Sequence, residues 1–183
     1  SQAAQPDVDA WKPVLAEFPD AYLYPTMTGG EPHTTIETRY GHLIEIADAG
    51  VLRMGIVDPG SVNLDRYDSD GAPAASDVVY INSGADVRFM AETCAAPKVP
   101  VSFSIFDGSF MRSAVAYVRA GHIRHGGQIK IFFGSDYLPI GLPATEASLL
   151  AYLDILGDCP LPWSIALPGG DLLSKDVARL ALE

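Results

Sequence analysis

Short apolar runs alternate with longer amphipathic runs along most of the chain. The short runs have no polar face and are bounded by turn residues, a pattern typical of strands that are buried on both faces of a parallel sheet. We predict strands at Ala21–Pro25, Leu52–Val57, Val99–Phe106, Gln128–Phe133 and Trp163–Leu167.

The longer runs repeat apolar residues at the spacing of an α-helix, and several begin at a serine or threonine suited to an N-cap. Gly50 follows the second run, at a position where helices commonly end. We predict helices at Asp9–Phe18, Thr35–Ala49, Ser83 or Asp86 to Ala95, Ser109–Ala120, Thr145–Leu156 and Leu172–Leu182.

Strands that alternate with helices form a parallel sheet, which is either open and doubly wound or closed into a barrel. Hydrophobicity alone does not distinguish the two. Every predicted strand ends in a polar or glycine-rich turn, and no Gly-x-Gly-x-x-Gly turn follows any of them, which favours the barrel. We therefore expect an α/β fold, a (β/α)8 TIM barrel, with residues 1–183 in a single domain.

The charge of the chain excludes some classes of partner. Twelve lysines and arginines face 23 aspartates and glutamates, without a basic run, so nucleic acid is not an expected partner. No apolar run approaches the roughly 20 residues that a membrane-spanning helix needs. We expect a cytoplasmic protein that does not bind membranes.

The turns after the strands hold the candidate site residues. Thr26 and Thr28, followed by Gly29 and Gly30, could hold a carboxylate or carbonyl, or could only satisfy a turn. Met27 lies between them. Two further substrate-binding candidates, Ser61 and Asp107, end the next two strands, and two catalytic candidates, Asp58 and Ser104, lie beside them.

Other polar residues also allow more than one interpretation. Asp58 could act as a base or orient one, or could accept N–H groups of its own turn. Gly169 and Gly170 precede a predicted helix, whose free N–H groups would favour a phosphate group. The four histidines do not make a metal set: we expect solvated or helix-end roles for His42, His122 and His125, whereas His33 lies at the barrel mouth.

A long polar stretch between two of these elements is a candidate lid. Residues Asp65–Asp77 contain aspartates, a glycine, a serine and a proline, and no periodic pattern. Loops of this length are commonly functional or mobile.

Several strings of residues together resemble the β-keto acid cleavage enzyme family, which includes 3-keto-5-aminohexanoate cleavage enzyme. The resemblance covers nearly the whole chain, and its most specific part is Asp58-Pro59-Gly60-Ser61-Val62-Asn63. The strings are Tyr24-Pro25-Thr26-Met27-Thr28-Gly29-Gly30, Arg53 to Asn63, Tyr80-Ile81-Asn82-Ser83 with Asp86-Val87-Arg88, and Phe103 to Asp107.

The resemblance implies a TIM barrel with zinc at its mouth. It also implies that a β-keto acid condenses with acetyl-CoA and is then cleaved into acetoacetate and a new CoA ester. The family holds its metal with a His-x-His pair on an early strand and a Glu-Asp pair on the last strand, and neither motif occurs in this chain. We therefore expect residues 1–183 to correspond approximately to strands 3 to 7, with the first two strands, the last strand and the zinc ligands outside them.

Two positions depart from the family pattern and suggest an altered substrate preference. Related enzymes carry a glutamate near Ser104 and a serine at Met27. The resemblance also favours a homodimer or homotetramer. The alternative is a non-catalytic or divergent barrel that binds a small anionic metabolite, which is consistent with the absence of the two metal motifs.

Overall fold

Six α-helices surround the sheet in the computed structural model, which describes residues 3–27 and 34–183. Their starts follow the sequence: Thr35 and Thr145 are N-caps, and Ser83 forms a capping box with Asp86. The helices in the described part of the chain are α1 (Gln5–Glu17), α2 (Ile36–Asp48), α3 (Gly84–Ala95), α4 (Gly108–Arg119), α5 (Glu146–Leu156) and α6 (Asp176–Leu180).

The strands of the described residues form one parallel sheet and one short antiparallel pair. The parallel sheet has the order β1-β4-β5-β6, and β2 pairs with β3. The strands are β1 (Gly55–Val57), β2 (Val62–Asn63), β3 (Val79–Tyr80), β4 (Val101–Ile105), β5 (Gly127–Phe132) and β6 (Trp163–Ala166). This confirms the α/β fold with a parallel sheet, whereas closure into an eight-stranded barrel stays a prediction.

Two predicted elements are wrong. Residues 21–27 contain no strand: Leu23 O accepts a hydrogen bond from Arg53 N, but Pro25 has no N–H with which to continue a ladder. The helix predicted at Leu172–Leu182 is divided, because Lys175 is extended between a single 3₁₀ turn at Leu172–Ser174 and α6.

The two faces of the parallel sheet differ in polarity. Phe103 and Ile105 on β4, like Ile129 and Ile131 on β5, are completely buried beneath the helices. Most of the alternate residues of the same strands are polar, with Phe132 as an exception, and they include Ser104, which is paired in register with Lys130. Since strand side chains alternate between faces, these polar residues line the inner face of the sheet.

Gly41 offers a test of the helical assignment. It lies inside α2, where an added Cβ would meet no atom within 4 Å. We expect Gly41→Ala to raise the free energy of unfolding by about 0.5–1 kcal/mol, because alanine loses less backbone entropy on folding. Urea unfolding measures this. Gly50→Ala is the matched control and should destabilise, because Gly50 has a φ of 74°; equal effects of both changes would contradict the assignment.

Candidate functional site

A cavity of about 230 Å³ opens at the carboxyl ends of β1, β4 and β5. Carboxyl ends of parallel strands are where α/β proteins bind their ligands. The cavity is lined by Tyr24, Pro25, Thr26, Met27, Ile56, Asp58, Leu64, Tyr80, Ser104, Phe106, Lys130 and Phe132.

Asp58 is the buried acid of this cavity. It directly follows β1 and is 5% exposed. Its Oδ2 accepts a short hydrogen bond from the Tyr80 hydroxyl, which β3 brings back across the sheet end. Its Oδ1 has no hydrogen-bond partner among the described residues. One oxygen is therefore held in place by Tyr80, whereas the other is buried.

Burial controls the ionisation of this carboxyl group. Removal from water raises the pKa of Asp58, while the hydroxyls of Ser104 and Tyr80 and the positive charge of Lys130 partly offset that rise. Burial also raises the pKa of Tyr80 far above its ordinary range, so its hydroxyl stays protonated and donates to Asp58. A carboxyl group with a raised pKa inside a cleft is suited to proton transfer.

Lys130 supplies the cavity with a positive charge. It projects from the middle of β5, and its ammonium group donates a short hydrogen bond to the Tyr24 hydroxyl. The same group lies 4.8 Å from the centroid of the Tyr24 ring and 5.8 Å from that of Phe132. Aromatic faces attract cations, so these rings hold the ammonium group at the cavity wall.

The first predicted substrate-binding turn lies partly inside the described residues. Thr26 and Met27 line the cavity, whereas Thr28, Gly29, Gly30 and His33 lie outside the described residues.

A buried histidine supports this turn from α2. His42 is 2% exposed, and its Nε2 lies 3.0 Å from the carbonyl oxygen of Thr26, to which it donates when that nitrogen is protonated. The solvated or helix-end role that we predicted for His42 is therefore wrong: α2 packs it inward, where it holds the end of the segment that carries Thr26.

Of the remaining predicted residues on the central strands, the structure brings only Ser104 into the cavity. Ser104 faces Lys130 in register. Asp107 is the N-cap of α4, and its Oδ1 accepts bonds from the N–H groups of Ser109 (2.7 Å) and Phe110 (3.1 Å). Ser61 exchanges hydrogen bonds with the backbone of Asn82. Asp107 and Ser61 do not line the cavity, and these local bonds account for them without a substrate.

We predicted that free N–H groups after Gly169 and Gly170 would favour phosphate, but the structure shows N–H groups there that are already hydrogen-bonded. Asp171 Oδ1 accepts the N–H groups of Leu173 and Ser174, so the start of the 3₁₀ turn has already satisfied its donors. The two glycines instead border a second cavity of about 340 Å³, with Lys175 at its edge. A Cβ at Gly169 would lie 2.6 Å from the Tyr137 ring, so this wall requires glycine.

The candidate lid is an ordered hairpin between β2 and β3. Asp68 Oδ1 accepts hydrogen bonds from the backbone of Asp70 and Ala72, which closes its tip. At its base, the guanidinium carbon of Arg66 lies 4.4 Å from the centroid of the Tyr137 ring. Since Tyr137 borders Gly169, the hairpin reaches toward the second cavity.

The structure does not offer a zinc site within residues 3–27 and 34–183. These residues contain no group of three or more His, Cys, Asp and Glu side chains placed to hold a metal ion. Among the same residues, no helix is long and apolar enough to cross a bilayer.

Sequence reasoning missed three polar residues of the cavity: Tyr24, Tyr80 and Lys130. Lys130 carried a usable signal, because a charge in the middle of the run Gln128–Phe133 must lie on the inner face if its apolar neighbours face the helices. Tyr80 carried none, since it reaches Asp58 only through the pairing of β2 with β3.

A parallel α/β sheet with a buried carboxylate and a lysine at the carboxyl ends of its strands has the features of an α/β enzyme. The sequence profile of the beta-keto acid cleavage enzyme family (BKACE) matches residues 3–182. The chain therefore belongs to this family and is an enzyme of the β-keto acid cleavage type. A search of curated proteins gave no match.

Proposed function

We propose that this protein cleaves a β-keto acid with acetyl-CoA and releases acetoacetate and a new CoA ester. The observation that carries the proposal is the Asp58 carboxyl group: it is buried, burial raises its pKa, and Asp58 lines a cavity of about 230 Å³. Family membership supplies the reaction class, and the cavity supplies a place for the keto acid.

In the proposed reaction, the Asp58 carboxylate takes a proton from the α-carbon of the keto acid, and the electron pair moves into the keto group. The enolate carbon attacks the acetyl-CoA carbonyl, and CoA leaves as a thiolate. The thiolate then attacks the original keto carbon, which breaks its bond to the α-carbon. Acetoacetate departs after regaining the proton, and the remaining acyl group leaves as its CoA ester.

The other residues take supporting roles in the proposal. Thr26 and Met27, with Thr28, Gly29 and Gly30, contact the keto acid, and Ser104 lies beside Asp58. We also keep Ser61 and Asp107 as predicted substrate contacts, although both are engaged in local hydrogen bonds. Gly169 and Gly170 border the cavity that we assign to the CoA ester.

The cofactor and the assembly also belong to the proposal. The family resemblance supports zinc, and we propose that its ligands come from residues outside 1–183. In the same way we propose a closed TIM barrel, a homodimer or homotetramer, and a cytoplasmic location.

The experiment is a product assay on the complete polypeptide. The protein is incubated with acetyl-CoA, added zinc and a panel of β-keto acids with neutral, anionic and cationic tails, and CoA esters are identified by mass. We expect acetoacetate and one new CoA ester in equal amounts. Binding of a keto acid without any turnover would instead favour the alternative, a divergent protein that binds a small anion.

A further inference from the structure

A further cavity of about 280 Å³, the amino-end cavity, opens where the chain enters β4 and β5, at the opposite end of the sheet from the candidate site. It lies between α3 and the segment that joins α4 to β5. Its lining residues are Arg88, Ala91, Glu92, Ala95, His122 and Arg124. Two guanidinium groups therefore share one small cavity, in a chain whose formal net charge is −11.

The end of α4 fixes His122 beside this cavity. Gly121 has a φ of 73°, and its N–H donates to the carbonyl oxygen of Val118. The N–H of His122 donates to the carbonyl oxygen of Tyr117. These two bonds form a Schellman motif, which commonly ends helices. The rings of His122 and Tyr117 also lie together, with centroids 5.6 Å apart, so backbone and ring contacts both hold the imidazole in place.

Arg88 reaches the same position from the middle of α3. Its Nη1 lies 3.3 Å from Nε2 of His122, to which it donates when that nitrogen is unprotonated. Its guanidinium carbon lies 5.8 Å from the centroid of the Tyr117 ring, within the range of a cation–π contact. These contacts orient the guanidinium group but use only one of its five N–H donors.

Neither arginine of the cavity is paired with a carboxylate in the part of the chain that the structure describes. The ion pairs of those residues all lie elsewhere, so no acidic oxygen among them is within 4.0 Å of Arg88 or Arg124. Glu92 lines the cavity one helical turn after Arg88 but remains outside this distance. Since Arg88 lies in the interior of α3, the negative end of the helix dipole does not account for its charge.

We propose that the amino-end cavity binds a phosphoryl group, either as inorganic phosphate or as the phosphate end of a small metabolite. Guanidinium groups bind phosphate through pairs of charge-assisted hydrogen bonds. A phosphate monoester carries three acceptor oxygens and a charge of about −1.5 to −2 at pH 7, whereas a carboxylate has two oxygens and a single charge. Two guanidinium groups therefore suit phosphate better.

The size and the place of the cavity limit the ligand further. Pockets for drug-sized ligands span roughly 300–1,000 Å³, so a cavity of about 280 Å³ suits a small molecule and not a whole CoA ester. The site does not depend on the proposed reaction, because it lies at the other end of the strands from Asp58.

Calorimetry on the complete polypeptide tests the site without any turnover. The probes are inorganic phosphate, glycerol phosphate and acetate at constant ionic strength. We expect both phosphate compounds to bind, and acetate to bind at least about tenfold more weakly, as the loss of one charge-assisted hydrogen bond would produce. Equal affinity for the two phosphate compounds would identify the phosphoryl group alone as the ligand. Tighter binding of glycerol phosphate would show that the cavity also contacts the organic part of an ester.

Substitutions assign the binding to this cavity. Arg88→Gln and Arg124→Gln should each weaken the affinity for phosphate at least about tenfold. Glu92→Gln removes a nearby negative charge and should strengthen it. Arg112→Gln removes an exposed arginine of α4 and should leave it unchanged. All four side chains are exposed, so the variants should keep the stability of the unmodified protein, which urea unfolding measures.

Three results would contradict the proposal. The first is the absence of phosphate binding, and the second is acetate that binds as tightly as phosphate. The third is an affinity for phosphate that survives both arginine changes and is lost in Lys130→Met, which would assign the binding to the cavity beside Asp58.

Discussion

Asp58→Asn is expected to lower kcat by about 10²- to 10⁴-fold, the contribution typical of a general base. The amide keeps the shape of the side chain and can still accept a hydrogen bond from Tyr80, but it cannot take a proton. Steady-state kinetics with the preferred keto acid measures the loss. A reduction below fivefold would contradict the proposed role of Asp58.

The pH profile distinguishes a base from a residue that only supports the fold. Since burial raises the pKa of Asp58, the ionised form that the proposed reaction requires predominates above that raised value. The rate should therefore rise with pH through the raised pKa, and this acidic limb should disappear in Asp58→Asn. A limb that persists in the variant would assign it to another group.

Stability provides a matched control for the same variant. Because its pKa is raised, Asp58 keeps its proton to a higher pH in the folded state than in the unfolded chain. Below the ordinary pKa of about 3.9, Asp58 is protonated in both states. As pH rises from there through the raised pKa, ionisation of Asp58 progressively destabilises the fold. The free energy of unfolding of Asp58→Asn should therefore rise relative to that of the unmodified protein across that window. A variant that is more stable in this way cannot have lost its activity through unfolding.

Gly60→Ala is expected to cost about 1–3 kcal/mol of stability and most of the activity. A Cβ at this position would lie 2.6 Å from the ring of Phe110, which is completely buried on α4. Either the ring or the turn must move, and overpacking of this kind destabilises by that amount. Because the backbone N–H of Gly60 donates to the carbonyl oxygen of Asp58, a moved turn displaces the carboxyl group that we propose as the base.

A double-mutant cycle tests this explanation. Phe110→Leu removes the obstructing ring edge, so the combined variant Gly60→Ala/Phe110→Leu should be more stable than the sum of the two single losses predicts. Gly84→Ala is the control, because a Cβ there would meet no atom within 4 Å. Purely additive losses, or a comparable loss in Gly84→Ala, would show that contact with Phe110 is not the cause.

Most of the fold followed from the periodicity of the chain. The strand predicted at Gln128–Phe133 and the helix predicted at Thr145–Leu156 match β5 and α5 to within one residue at each end. Both have strong local signals: β-branched and aromatic residues in the first, and a threonine cap in the second. The predicted strand at Ala21–Pro25 failed, because an apolar run does not reveal whether a backbone partner is available.

Only part of the candidate site could be predicted from the sequence. Asp58 and Ser104 were found because polar residues at strand ends converge on one edge of a parallel sheet. The contact between Asp58 and Tyr80 depends on the pairing of β2 with β3, which spans a hairpin without periodicity. Asp107 illustrates another limit of prediction from the sequence: a polar residue at the expected strand end can be engaged in capping a helix.

The most direct test of the proposed reaction follows the carbon atoms. The complete enzyme is supplied with an unlabelled β-keto acid and with acetyl-CoA that carries ¹³C in both acetyl carbons, and the acetoacetate is examined by NMR. Condensation followed by cleavage predicts label at C3 and C4 of acetoacetate, with C1 and C2 unlabelled and no label in the new acyl-CoA. Acetoacetate without label, or label in the new acyl-CoA, would contradict the account.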